Sequence, residues 1–155
     1  MIEAFLVINK AGLPLCQIKA QDATWDETLI GGFITAIASF GAETWQSGNL
    51  EQIVFHEKQI FLLHCLERRI CILVTSLSTP PEISQACLID LSDNFKSIFS
   101  ELDSLKGPIN SEQFYESFSQ KGFEILRLYN AKVAELIHKG GEIYYKTLYS
   151  YKEIR

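Results

Sequence analysis

Hydrophobic positions along this chain fall into short dense runs and longer spaced stripes, and the alternation between the two outlines its elements. Ile2 to Asn9 is a short run dominated by Phe5, Leu6, Val7 and Ile8. The polar turn Lys10-Ala11-Gly12 separates it from a second run, Leu13 to Lys19. Together they read as a β-hairpin. Pro14 cannot donate to a ladder, which places the second strand at an edge or turns that position away from its neighbour. Thr24 followed three residues later by Glu27 has the form of a capping box, so a helix is predicted to begin at Trp25. Its apolar residues Trp25, Leu29, Phe33, Ile37 and Phe40 recur at three- and four-residue steps and form a stripe that another layer must cover. Gly41 is predicted to end it.

Three more strands follow, Leu50 to His56, Gln59 to Leu66 and Arg69 to Leu77, with tight turns at Glu57-Lys58 and Glu67-Arg68. The runs Ile60 to Leu66 and Ile70 to Val74 are nearly continuous rather than alternating, which implies a sheet buried on both faces. Pro80 and Pro81 suit a helix start, and Ile83, Cys87, Leu91, Phe95, Ile98, Leu102 and Leu105 trace its stripe until Gly107-Pro108. Asn110 with Gln113 suits the cap of a last helix, striped by Phe114, Phe118, Ile125, Tyr129, Val133 and Leu136 up to Gly140-Gly141. The tail, Glu142 to Arg155, fits either an alternating strand or a short helix through Tyr144, Tyr145, Tyr149 and Tyr151. No repeat or linker-like tract divides the chain, so residues 1–140 read as one domain and 141–155 as its tail.

Composition narrows the function classes. A chain of 155 residues with 47% hydrophobic content builds one core, and its net charge of -5 offers a nucleic-acid backbone no attraction. The N-terminal apolar run is too short to span a bilayer and lacks a basic flank, so neither a signal peptide nor an integral membrane segment is expected. Cys16, Cys65, Cys71 and Cys87 lie in apolar segments with no C-x-x-C pair, which suggests reduced thiols in a cytoplasmic protein.

Candidate chemistry is sparse. If the Glu67-Arg68 turn sets the register, His64 and Cys71 face one another as a base and a thiol, but no third orienting group is evident and the surroundings are apolar. His56 near a hairpin tip and His138 near a helix C-terminus read as a solvated residue and a dipole contact. Asp90, Asp93, Glu101 and Asp103 read as a solvated helix face. With no phosphate-binding loop, nucleophile elbow or metal-ligand spacing, the chain is not expected to be an enzyme, and no catalytic residue, cofactor or metal is assigned.

The order strand, strand, helix, three strands, helix, helix predicts an α/β (α+β) three-layer sandwich with a five-stranded, mostly antiparallel sheet and helices on both faces. This order resembles the longin family of profilin-like domains, which carry one helix on one face of the sheet and two on the other. The segment Ile2-Glu3-Ala4-Phe5-Leu6-Val7-Ile8-Asn9-Lys10-Ala11-Gly12 is similar to the start of longin and adaptin-small-chain domains, and Leu29-Ile30-Gly31-Gly32-Phe33-Ile34-Thr35-Ala36-Ile37 is similar to their first helix. The related roadblock family usually opens on a helix, so the strand-first start resembles longin more. The resemblance covers Met1 to Gly140.

It implies protein interaction, since longin-like domains occur in SNAREs, adaptor subunits, trafficking tethers and GTPase regulators, and similar domains occur in archaea. The region after the fold lacks the heptads and anchor of a SNARE. The expected partner is a small GTPase or another longin or roadblock domain, in a homo- or heterodimer, with cytoplasmic placement or recruitment to membranes through a partner. A small-molecule sensor of profilin-like architecture is the rival reading.

Two features suit partner binding. Gly31 and Gly32 cost a helix about 1 kcal/mol each relative to alanine. With Thr35, Ala36 and Ser39 they serve either tight packing on the helix's own sheet or a smooth docking surface. Arg68 and Arg69 form a basic tip, either a solvated turn or a contact for an acidic partner.

Overall fold

The computed structural model describes residues 1–20, 25–45, 48–65, 68–104 and 111–153. Its elements are β1 (Ile2–Ile8), β2 (Pro14–Lys19), α1 (Glu27–Trp45), β3 (Gln52–Val54), β4 (Lys58–His64), β5 (Ile70–Ser76), α2 (Pro81–Ser104) and α3 (Ser111–Glu153). The strands form one five-stranded sheet in the order β2-β1-β5-β4-β3, with antiparallel pairing throughout. β1 pairs with both β2 and β5, so the hairpin and the meander meet at the centre of the sheet.

Local chemistry closes the first hairpin. The Asn9 side-chain oxygen accepts from the amides of Ala11 and Leu13, and the Asn9 carbonyl accepts from Gly12, whose φ of 80° favours glycine. Pro14 does fall on an edge strand, opposite Ile8 where the register shifts. At the far end of β1, where β2 has run out, Asn130 of α3 takes its place. Its Oδ1 accepts from the Ile2 amide at 2.7 Å and its Nδ2 donates to the Ile2 carbonyl at 3.1 Å.

Both faces of the sheet are buried, as the continuous apolar runs require. Ala4, Leu6, Ile8, Ile60, Leu62, Ile70, Ile72 and Val74 face α1 and its buried Ile34. Phe5, Val7, Ile18, Phe61, Cys71 and Leu73 face α2 and α3, meeting Cys87, Leu91, Phe95 and Phe118. Phe118 lies 6.0 Å from Phe5 and 6.1 Å from Phe95 between ring centroids, and rings of this size contribute about 2–3 kcal/mol each when removed from water. Gly122 admits this packing, because a Cβ there would stand 2.0 Å from Ile18 Cδ1. No helix among the described residues is long and apolar enough to cross a membrane.

Several boundaries differ from expectation. α1 begins at Glu27 rather than Trp25, because Asp26 caps it: its Oδ1 accepts from the amides of Thr28 and Leu29. Thr24 lies outside the described residues, as do Leu105, Gly107, Pro108 and Asn110. Gly41 does not end α1, which runs on to Trp45. Gly140 and Gly141 do not end α3 either; residues 142–153 continue it, so the tail is helix and not strand. A glycine costs a helix about 1 kcal/mol, which long flanking helical segments can absorb. His138 therefore sits within α3, not at its C-terminus, and a dipole contact there has no basis. The tail tyrosines' side chains, and those of Glu101 and Asp103, lie outside those described.

Candidate functional site

Helix α1 is apolar on two sides, and the side turned to the sheet is not the predicted one. Ile30, Gly31 and Ile34 pack inward, while Leu29 is 73% exposed and Phe40 52%. Phe33 and Ile37 are exposed beside them. Of the predicted stripe, Trp25 packs on the core and the Phe33 ring meets Phe55, while Leu29 and Ile37 stay exposed. Contact between helix and hairpin decides the phase: a Cβ on Gly31 would stand 2.1 Å from the Gly12 carbonyl oxygen, so only glycine lets α1 sit this close.

The outward stripe continues onto the β3–β4 hairpin. The Phe33 and Phe55 rings lie 6.5 Å apart, and Val54 and Phe55 are both exposed. β3, only three residues long, is the edge of the sheet, so its outer backbone groups face away from any strand described. Scattered exposed leucines are ordinary, but a contiguous apolar patch running into an open sheet edge is the anatomy of a docking surface.

A groove of about 820 Å³ opens where α1 meets the hairpin, lined in part by Trp25, Leu29, Phe33, Phe55 and Ile60. Glu3 and Lys58, an ion pair, and His56 mark its polar rim. Trp25 Nε1 is buried with no hydrogen-bond partner among the described residues, and the Lys19 ammonium stands 5.1 Å from its ring centroid. Lys19 also donates to Glu27 at 2.6 Å, and the Gln17 side-chain amide donates to the same carboxylate at 2.8 Å. The Lys19 hydrogen bond, with smaller contributions from the Glu27 amide and Gln17, holds that carboxyl down to about 2.

The predicted partner residues separate. Gly32, Ala36 and Ser39 are exposed on α1, whereas Gly31 is buried against Gly12 and Thr35 is half-buried, its Oγ1 without a hydrogen-bond partner among the described residues. Arg68 is exposed with φ 58°, and the Arg69 guanidinium lies 4.0 Å from the Phe99 ring centroid, so the two arginines do not form one basic tip.

The expected pairing of His64 with Cys71 does not form. Cys65 donates its amide to Arg69, His64 stands opposite Ile70, and Leu63 stands opposite Cys71. The connection is one residue longer than a Glu67-Arg68 turn, and a one-residue slip moves a side chain to the other face. His64 accordingly lies on the α1 side, its Nε2 2.9 Å from the Leu50 carbonyl oxygen. Cys65 instead stands beside Cys71, with the two sulfurs 3.4 Å apart.

Comparison with known proteins gives a fold and no closer relationship. No family model matches the chain, and no curated protein matches it. Among solved structures, MglB of Myxococcus xanthus aligns with a TM-score of 0.55 at 12% identity, over 65% of this chain and 85% of that one. The gliding protein MglB of Thermus thermophilus aligns at 0.44 with 13% identity, over 51% of this chain and 64% of that one. A structure described as MglB with tetrameric arrangement aligns at 0.44 with 15% identity, over 52% and 65%. The match thus spans just under two thirds of the last two, at 64% and 65%. The strand order, the single helix on one face and two on the other, and the M. xanthus alignment together give this chain a longin/roadblock-type fold.

Proposed function

We propose that this chain is a noncatalytic interaction module that docks through the outer face of α1 and the β3 edge onto a second domain of like fold, its own copy or a related longin or roadblock subunit. The pair would act in the cytoplasm, or on membranes through a partner, as a regulator or scaffold for a small GTPase. One observation carries the docking: the stripe Leu29, Phe33, Ile37 and Phe40 lies outward and joins Phe55. Apolar area of this kind gains about 25 cal/mol per Å² when a partner covers it. The GTPase part rests on the resemblance to longin domains.

Two measurements test it. Light scattering on the purified chain is expected to give a dimer that Leu29→Glu with Phe33→Glu converts to monomer. Capture from source-organism lysate, with GDP and with a nonhydrolysable GTP analogue, is expected to retain a small GTPase in one nucleotide state. A monomeric protein that retains neither a GTPase nor a related subunit would overturn the reading.

A second reading has its own observation, the largely apolar groove that Trp25 lines together with Leu29, Phe33, Phe55 and Ile60. An apolar molecule would fit that chemistry. Mass spectrometry of whatever the denatured protein releases decides it: a stoichiometric metabolite supports a sensor, and none removes it.

A further inference from the structure

The sheet face opposite α1 holds a pair of thiols that the docking surface does not use. Cys65 lies one residue past the end of β4, held to β5 through its amide's 2.8 Å bond to Arg69, and its side chain is half-buried. Cys71 is wholly buried in β5. Their sulfurs are 3.4 Å apart, and Ser92 Oγ of α2 lies 3.6 Å from each. Thus the sulfur of a half-buried cysteine touches that of a wholly buried one. The other two cysteines, Cys16 and Cys87, are buried.

We propose that Cys65 and Cys71 form an oxidation site at which a hydroperoxide converts the two thiols to a disulfide, with Cys65 attacking and Cys71 resolving. The Cys65 sulfur attacks one peroxide oxygen and the O–O bond breaks. Cys65 becomes a sulfenic acid, and the other oxygen leaves with the proton Cys65 gave up, as water from hydrogen peroxide or as an alcohol from an organic hydroperoxide. The Cys71 sulfur then bonds to Cys65 and displaces the hydroxyl, which leaves as water with the Cys71 proton. Two electrons pass from the sulfurs to the peroxide.

The geometry suits both steps. Cys65 is the less buried of the two and Cys71 is its direct neighbour, so the sulfenic acid meets a thiol before a second peroxide. Closing to a bond of about 2.05 Å asks for roughly 1.4 Å of sulfur movement. Cys65 lies one residue beyond the end of β4 and is tied to β5 there by its amide, so the closure falls to the two side chains. Electrostatics act in the same direction. Hydrogen bonding with Cys71, opposed by burial and aided by Ser92 and by the charges of Lys96 and His64, holds the Cys65 thiol below its usual range. The Cys71 thiol is raised, first by that same hydrogen bond and then by burial. Burial pushes Cys16 and Cys87 up to about 12, which leaves them as thiols.

The test treats the full chain with hydrogen peroxide, alkylates it under denaturing conditions and maps the peptides. The expected product has lost about 2 Da, carries a Cys65–Cys71 link with Cys16 and Cys87 alkylated, and regains all its thiols with dithiothreitol. Cys65→Ser should slow thiol loss at least tenfold, and Cys71→Ser should leave a Cys65 sulfenic acid that dimedone captures. Peptide mapping of the unaltered chain needs neither variant to fold. Finding every thiol still alkylated, Cys65 oxidised with Cys71 free, or only links between chains would overturn the proposal.

Discussion

The carbonyl oxygen of Gly12 lies 2.1 Å from the point where a Cβ on Gly31 would stand, so the first hairpin and the first helix meet backbone to backbone. Their neighbours differ: a Cβ on Gly32 would meet nothing within 4 Å. Two adjacent glycines in one helix therefore make opposite predictions. Gly31→Ala must push α1 off the turn or distort the turn, and is expected to lower stability by about 2 kcal/mol despite better helix propensity. Gly32→Ala keeps only the propensity and is expected to add about 0.5–1 kcal/mol. Urea midpoints of the two variants check the pair, and equal shifts would refute this placement of α1.

Leu29 and Phe33 project away from the sheet, so changing them to glutamate should separate folding from association. The melting temperature is expected to stay within a few degrees of the parent, since exposed positions usually change stability by about 0.5 kcal/mol or less. Self-association or partner capture is expected to fall at least tenfold. A cooperative loss of fold instead would mean that the stripe faces its own core.

Acid titration should expose the Lys19–Glu27 contact. The Glu27 carboxyl is held by Lys19 first, and then by its own amide and Gln17, from its ordinary 4.5 down to about 2. Because the folded value is the lower one, the stabilisation is complete above pH about 4.5 and is lost as pH falls towards about 2. Glu27→Gln is expected to flatten the decline in stability across that window and to leave its slope near neutrality unchanged. Denaturant midpoints measured at several pH values in both proteins provide the check.

Asn130 stands where a neighbouring strand would continue, satisfying both backbone groups of Ile2. Asn130→Ala leaves that amide and carbonyl without protein partners and is expected to cost about 1–3 kcal/mol. Amide exchange at Ile2 should rise in step. Unchanged protection there would show that water replaces the side chain without loss.

The element order was legible because each element carries its own local signal. Continuous apolar runs marked β4 and β5 as buried on two faces, Pro14 marked an edge, and the stripe from Cys87 to Ile98 marked the inner face of α2. Asn9 and Gly12, which carried the longin resemblance, prove to be the residues that shape the hairpin turn. The Cys65–Cys71 contact was hidden by one residue in the β4–β5 register, and no spacing rule reports such a slip.

The phase of α1 was beyond periodicity altogether. Leu29, Phe33, Ile37 and Phe40 make as good an apolar stripe as Ile30 and Ile34, so either side could have faced the sheet. By itself the sequence determined which segments before the tail are strands and helices, because those preferences are written within a few residues of one another, and it left residues 142–155 open between the two. Only the tertiary structure decided which side of α1 faces the sheet and which stays outward, because that depends on Gly12 and Gly31 meeting across a gap too narrow for a side chain.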